Sequence, residues 1–214
     1  MSALLRLGIL ASGRGSNLRA ILDSISLRAL HARVEIVVSN TEGCGALSTA
    51  HEHGIKTKTI TRKAAGSRRA QSKQITKALT EVQIDLVVYA GFNLITPPEL
   101  TAAFPNRMIN IHPSLLPAFA GGMAPAPQAA AVDWGVKYAG CTVHIVNDKV
   151  DAGPIIAQAV VPVFDNDDTD KLAARILIEE HKLLPKVIQW YAEDRVHIEG
   201  RQVQITDPFP ESRN

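Results

Sequence analysis

Short, almost continuous runs of apolar residues alternate along the chain with longer segments whose apolar residues recur at helical spacing. Such runs are typical of strands buried on both faces of a mainly parallel sheet. The alternation of strand and helix predicts an α/β fold, a Rossmann-like mainly parallel sheet with helices on both faces. The predicted strands are Leu4–Ala11, Val34–Asn40, Ile84–Gly91, Met108–Ile111 and Thr142–Val146.

Four segments between and after these runs are predicted to be helices. The first is expected to follow Asn17 as its N-cap, because the apolar spacing begins at the next residue. The others are expected at Gly43–Gly54, Arg68–Val82 and Thr169–Ala192, the last preceded by the polar run Asp165–Asp170, which suits a helix N-terminus.

Composition and charge limit the classes of partner. The 214 residues are 46% hydrophobic and 21% charged, with 23 Lys and Arg against 21 Asp and Glu. These values suit one domain, residues 1–206, followed by a loose tail at 207–214. A net charge of +2 is too small to produce an electrostatic field that would attract nucleic acid or a membrane surface. We expect a cytoplasmic protein with neither partner.

No metal site is predicted. Cys44 and Cys141 are far apart and match no metal or disulfide spacing, which suits a reducing compartment. Counted from Asp165, positions 6 and 12 of a calcium loop hold Asp170 and Ile176 instead of Gly and Glu. The acidic run is therefore interpreted as helix capping.

A glycine-rich segment, Ser12–Leu18, lies between the first predicted strand and helix. Glycines let backbone N–H groups approach an anion, and a helix N-terminus favours negative charge. Leu18 stands where a dinucleotide fingerprint needs its third glycine. A phosphate site and a tight capped turn both remain open from these residues.

Two further segments carry chemistry. Asn110 and His112 project to one strand face, about 7 Å apart at the usual rise. An amide beside an imidazole suits oxyanion stabilisation and proton transfer, although a structural pair is the alternative. Asp151, in the loop before Gly153 and Pro154, is predicted to pair with His112 and raise its pKa.

A basic stretch without acids runs from Gly54 to Thr80. It is either a solvated face or a surface that attracts a small polyanion. No aromatic residues interleave for base stacking, which disfavours nucleic acid. Its members are Lys56, Lys58, Arg62, Lys63, Arg68, Arg69, Lys73 and Lys77.

Taken together, four segments resemble the phosphoribosylglycinamide formyltransferase family of folate-dependent enzymes: Gly15–Leu18, Ala90–Phe92, Asn110–Pro117 and Val150–Pro154. The resemblance spans most of the chain. The Asn110–Pro117 element is shared with other enzymes of 10-formyltetrahydrofolate, whereas the glycine-rich segment and the single-domain length favour this family.

The resemblance implies transfer of a formyl group from 10-formyltetrahydrofolate, a cosubstrate, to the amine of glycinamide ribonucleotide in de novo purine biosynthesis. It implies catalytic roles for Asn110, His112 and Asp151. It implies that both ligands are small molecules, and we expect a monomer or homodimer. The implied ribonucleotide contacts are Gly15, Ser16, Asn17 and Glu180, and the implied folate contacts are Arg68, Asn93, Leu94, Ile95, Thr96 and Asn110.

The sequence departs from the family pattern at two places. The segment Ala118–Gln128 lacks the His or Arg found in many relatives, and Leu94 replaces a frequent Arg. Both departures concern ligand affinity and leave the implied catalytic residues intact. A 10-formyltetrahydrofolate hydrolase and a non-catalytic folate- or nucleotide-binding homologue are the alternatives.

Overall fold

The apolar runs form the centre of a seven-stranded sheet in the computed structural model, which describes residues 3–95 and 97–207. The strand order is β3-β2-β1-β4-β5-β6-β7, with β1 to β5 parallel to one another and β6 and β7 antiparallel to their neighbours. The strands are β1 (Leu5–Leu10), β2 (Ala32–Ser39), β3 (Lys56–Thr59), β4 (Leu86–Tyr89), β5 (Met108–His112), β6 (Tyr138–Ile145) and β7 (Ile155–Pro162).

Helices cover both faces of this sheet, as the sequence predicts. The helices are α1 (Ser16–Ser26), α2 (Gly45–Glu52), α3 (Arg62–Ala65), α4 (Arg68–Thr80), α5 (Pro98–Ala103), α6 (Ala126–Asp133) and α7 (Thr169–Ala192). Apolar residues of α1, α2, α6 and α7 pack in one core cluster, and those of α4 and α5 in another. A hairpin of β8 (Val196–Glu199) and β9 (Gln202–Ile205) follows α7.

The predicted fold class is confirmed, and each of the five predicted runs overlaps a strand. The prediction missed β3 and β7, the two strands at the edges of the sheet. The residues of β3 are Lys and Thr, and those of β7 alternate in burial, so neither shows the continuous apolar run of a central strand.

The N-cap prediction for Asn17 is wrong, because α1 begins at Ser16 and Gly15 is its N-cap. Gly15 has a φ of 81°, in the left-handed region. A Cβ at this position would lie 2.7 Å from the Cα of Ala46 in α2, so the close approach of α2 requires glycine here.

The prediction for the last helix is confirmed, since α7 runs from Thr169 to Ala192 with Pro185 inside it. The Asp168 carboxylate accepts the N–H of Lys171 at 2.8 Å, which confirms capping within the acidic run. Of the predicted tail, residues 208–214 lie outside the described residues. None of the helices within residues 3–95 and 97–207 is long and apolar enough to cross a membrane.

Candidate active site

A cleft of about 720 Å³ opens at the carboxyl ends of β1, β4 and β5. This edge is where ligands bind in open α/β sheets, and the volume is in the range of small-molecule sites. The cleft brings together most of the residues predicted from the sequence. These are Gly15, Ser16, Asn17, Asn93, Leu94, Ile95, Asn110, His112, Asp151 and Glu180.

Among the described residues predicted for the site, Arg68 is not in the wall of this cleft. Arg68 lines a smaller adjoining cavity, which shares Leu94 and Ile95 with the main cleft. Its side chain is exposed at the start of α4. Thr96 lies outside the described residues. A ligand that extends from the main cleft past Leu94 would approach Arg68.

The glycine-rich segment is packed tightly against the start of α2. The Ala46 N–H donates to the Gly13 carbonyl at 3.1 Å, and a Cβ on Gly45 would lie 2.6 Å from the Arg14 carbonyl oxygen. This packing fixes the segment, so the first residues of α1 line the cleft. The unpaired N–H groups of a helix N-terminus suit an anion there.

Asn17 and Glu180 form a buried polar pair between α1 and α7. The Asn17 Nδ2 donates to Glu180 Oε2 at 2.9 Å. Burial raises the pKa of Glu180, which is 7% exposed, while the bond from Asn17 opposes this rise. The buried Oδ1 of Asn17 finds no partner among the described residues. The pair therefore retains acceptor atoms at the cleft wall.

Asn110 is oriented by a histidine on the neighbouring strand. In the antiparallel register of β5 and β6, Asn110 lies opposite His144, and its Nδ2 is 3.1 Å from His144 Nε2. His144 Nδ1 is 2.8 Å from the Ile145 carbonyl oxygen, an acceptor. Because a carbonyl oxygen only accepts, His144 Nδ1 donates to Ile145, and its Nε2 faces both the Asn110 amide and, at 3.5 Å, the Asp151 carboxylate. One N–H of the Asn110 amide remains for a ligand.

His144 is the residue of this site that the sequence analysis missed. It lies two positions from Thr142 on the same strand, so the period of two places both on one face. That signal gives the face of His144 but not its partner, because the partner depends on the register between β5 and β6.

His112 is buried, with 3% of its surface exposed, and both ring nitrogens lie near acceptors. Its Nδ1 is 3.3 Å from Asp151 Oδ2, and its Nε2 is 3.2 Å from the Phe119 carbonyl oxygen. The protonated ring thus has an acceptor for each N–H.

The predicted contact of His112 with Asp151 is confirmed, and the Asp151 charge acts to raise the His112 pKa as predicted, but the net shift of this pKa is downward. Burial lowers the pKa of His112 and outweighs the upward effects of the Asp151 charge and the Phe119 carbonyl. The imidazolium is therefore supported by its neighbours and still gives up its proton more readily than an exposed histidine.

Asp151 joins the two histidines and the loop that follows β5. Its carboxylate is 3.5 Å from His144 Nε2 and accepts the Gly121 N–H at 2.9 Å, in addition to its contact with His112. Burial raises the pKa of Asp151, but the bond with His144, the His112 charge and the Gly121 N–H together lower it below its ordinary value. Asp151 is therefore held as a carboxylate.

The backbone around Asp151 is constrained. Asp151 has a φ of 49°, a left-handed conformation that is unusual for a residue other than glycine. At Gly153, a Cβ would lie 1.7 Å from the Ile145 carbonyl oxygen. Arg201, at the turn between β8 and β9, donates to the Ala152 carbonyl at 2.9 Å. These contacts hold the Asp151 loop against the end of β6.

The atypical segment Ala118–Gln128 is part of the cleft wall. It contributes Gly121, Gly122, Met123, Ala124 and the buried Gln128. It contacts His112 through the Phe119 carbonyl and Asp151 through the Gly121 N–H, both main-chain groups. The missing His and Arg side chains therefore leave these contacts intact.

The chain matches the Formyl transferase family model over residues 5–188. It is 38% identical over 188 residues to phosphoribosylglycinamide formyltransferase of Escherichia coli, covering 88% of this chain and 87% of that protein. Its structure is similar to glycinamide ribonucleotide transformylase 1 from Symbiobacterium toebii, with a TM-score of 0.92, 42% identity and coverage of 97% and 96%. It is also similar to a formyltetrahydrofolate deformylase from Pseudomonas syringae, with a TM-score of 0.87, 28% identity and coverage of 95% and 66%. The chain belongs to the formyl transferase family.

Proposed function

We propose that this member of the formyl transferase family transfers a formyl group from 10-formyltetrahydrofolate to the amine of glycinamide ribonucleotide. The products are formylglycinamide ribonucleotide and tetrahydrofolate, in purine biosynthesis. The observation that carries the proposal is the grouping of Asn110, His112 and Asp151 in one cleft, between the glycine-rich segment and the loop after β4. The cytoplasm is the proposed location.

The ribonucleotide is proposed to occupy the side of the cleft formed by α1 and α7. Its phosphate would accept hydrogen bonds from the main-chain N–H groups of Gly15, Ser16 and Asn17, where the helix dipole favours an anion. Its glycinamide amine would approach Glu180, whose burial disfavours an unpaired charge. An ammonium group entering beside Glu180 compensates that charge, and it would release a proton before its nitrogen attacks the formyl carbon.

The folate is proposed to occupy the side formed by the loop after β4. Leu94 and Ile95 line both the main cleft and the smaller cavity, and Arg68 lies in the wall of that cavity. The apolar side chains would pack on the ring system, and the Arg68 guanidinium would pair with a carboxylate at the other end. The assigned contacts are Arg68, Asn93, Leu94, Ile95, Thr96 and Asn110.

The folate supplies an activated formyl carbon when it is bound, and the protein supplies hydrogen bonds and a proton. The free N–H of Asn110 would donate to the formyl oxygen as negative charge develops there. The amine nitrogen would bond to the formyl carbon as the bond from that carbon to the folate nitrogen breaks. His112 would protonate the leaving nitrogen, and the proton released by the attacking amine would restore the imidazolium. Asp151 would stabilise the charged ring until the proton leaves.

Hydrolysis of 10-formyltetrahydrofolate is the second candidate, since a formyltetrahydrofolate deformylase shares this fold. That relative is covered over only 66% of its chain, whereas the E. coli and S. toebii relatives are covered almost completely. The buried Asn17–Glu180 pair also gives the cleft an amine-binding wall, which water as the acceptor would not need.

The two candidates predict different dependence on the amine substrate. We expect purified protein to convert 10-formyltetrahydrofolate to tetrahydrofolate only when glycinamide ribonucleotide is present. Absorbance of the folate measures this directly, with and without the ribonucleotide. Equal turnover without the ribonucleotide would establish a hydrolase, and binding of both ligands without turnover would establish a non-catalytic homologue.

Asn110→Ala tests the proposed oxyanion contact. Loss of one oxyanion donor costs roughly 10²–10³ in kcat, whereas a contact that forms only in the transition state contributes little to KM. We expect kcat to fall by this factor and KM for both substrates to stay within about threefold. Steady-state kinetics measure both, and a variant that keeps most of its kcat contradicts the role of Asn110.

Asp151→Asn tests the electrostatic role of the carboxylate. His112 must be protonated to act as the acid, so activity falls as pH rises above its pKa. Removing the Asp151 charge lowers that pKa further, because this charge opposes the effect of burial. We expect the basic limb of the kcat profile to move to lower pH by about one unit or more.

Asp148→Asn is the matched control for this pH profile. Asp148 lies in the same loop, but its carboxylate accepts from Thr101 at 2.6 Å and makes no contact with His112 among the described residues. We expect its basic limb to stay where the wild-type limb lies. An unchanged limb in Asp151→Asn contradicts the proposed pairing.

A further inference from the structure

Three side chains at the ends of three strands form a closed ring of hydrogen bonds beside the cleft. Ser12 follows β1, Asn40 follows β2, and Asn93 lies in the loop after β4. The Ser12 hydroxyl is 2.6 Å from Asn40 Oδ1, and Asn40 Nδ2 donates to Asn93 Oδ1 at 2.7 Å. The Asn93 main-chain N–H donates to Ser12 Oγ at 3.0 Å and closes the ring.

Donors and acceptors are matched around this ring. A hydroxyl can donate once, and the shorter of the two Ser12 contacts is with Asn40, since Asn93 Oδ1 is 3.1 Å away. Ser12 then donates to Asn40, Asn40 donates to Asn93, and Asn93 donates to Ser12. Each bond polarises the next, so the ring is stronger as a unit than its members are separately.

The ring connects the two halves of the proposed site. Ser12 is the first residue of the glycine-rich segment, and its own N–H also donates to the Gly91 carbonyl after β4 at 3.0 Å. Asn93 directly precedes Leu94 and Ile95, which line the main cleft and the smaller cavity. Asn40 is half-buried and is not part of the cleft wall.

We propose that the Ser12–Asn40–Asn93 ring sets the distance between the phosphate-binding segment and the folate-binding loop, with Asn40 as a positioning residue that contacts neither ligand. The inference rests on the proposed function for the identity of the ligands. It also revises the role of Asn93, whose side-chain oxygen is used by the ring instead of by the folate.

Asn40→Ala removes two side-chain hydrogen bonds of the ring. Because both bonds are lost, we expect KM and Kd for both substrates to rise about tenfold. The expected change in kcat is less than threefold, because Asn110, His112 and Asp151 are held by β5, β6 and their own loop. A residue beside only one subsite would weaken only one ligand.

Asn40→Asp removes the bond to Asn93 and keeps the bond from Ser12. The aspartate keeps an oxygen that accepts from Ser12 but places its second oxygen against Asn93 Oδ1, where the wild type has a donor. We expect affinity for the folate to fall about tenfold, while affinity for the ribonucleotide stays within about twofold. A loss of affinity for the folate alone distinguishes a positioning role from a general loss of stability, which would weaken binding of both ligands.

Thr41→Ala is the matched control, since Thr41 is the exposed neighbour of Asn40 and only its main-chain groups bond, to Ser39, among the contacts described. Kinetics are combined with calorimetric binding of glycinamide ribonucleotide and tetrahydrofolate and with thermal unfolding. If Asn40→Ala fails to fold, Asn93→Ala replaces it. This variant removes the bond from Asn40 to the Asn93 side chain in an exposed loop, and it is expected to weaken binding of the folate.

The outcomes separate the ring from the proposed function. Unchanged Kd values for both ligands in Asn40→Ala, or a loss confined to kcat, would overturn the positioning role. A wild-type protein that binds both ligands but does not turn over would overturn the proposed activity, while the calorimetric comparison of the variants would still decide the role of the ring.

Discussion

The carboxylate of Asp151 faces two buried histidines at once, and the rest of the site depends on this arrangement. Its oxygens lie 3.3 Å from His112 Nδ1 and 3.5 Å from His144 Nε2. Burial disfavours the charged form of His112, and the negative charge fixed beside the ring opposes that effect, which the proposed role of His112 as the acid requires. The left-handed backbone at Asp151 and the close approach of Gly153 to the Ile145 carbonyl hold that charge in place.

The change from parallel to antiparallel pairing in the sheet explains how the histidines meet this carboxylate. β5 ends at the cleft with Asn110 and His112, and the antiparallel β6 places His144 opposite Asn110. The loop between β6 and β7 then returns to the same edge with Asp151. The hairpin after α7 reaches this loop through Arg201, so the C-terminal part of the described chain also contacts it.

The sequence predicts much of this molecule because its central strands are buried on both faces and its helices have clear apolar spacing. The last helix is predicted from Thr169 to about Ala192, since an acidic cap and regular apolar positions mark it, and α7 spans this range. The edge strands β3 and β7 lack such a pattern. The N-cap is Gly15 because α2 approaches closely at this position. The general preference for Asn as an N-cap, which predicts Asn17, carries no information on this tertiary contact. The contact of His144 with Asn110 depends on the register between β5 and β6. The downward shift of the His112 pKa depends on the burial of the ring.

The fate of the formyl carbon tests the central claim most directly. Wild-type protein is supplied with 10-formyltetrahydrofolate labelled with ¹³C at the formyl group, together with glycinamide ribonucleotide, and the carbon is followed by NMR. The account predicts that the label passes to the formamide of formylglycinamide ribonucleotide, with no labelled formate above the rate without protein. Accumulation of labelled formate at the rate of folate consumption would contradict it.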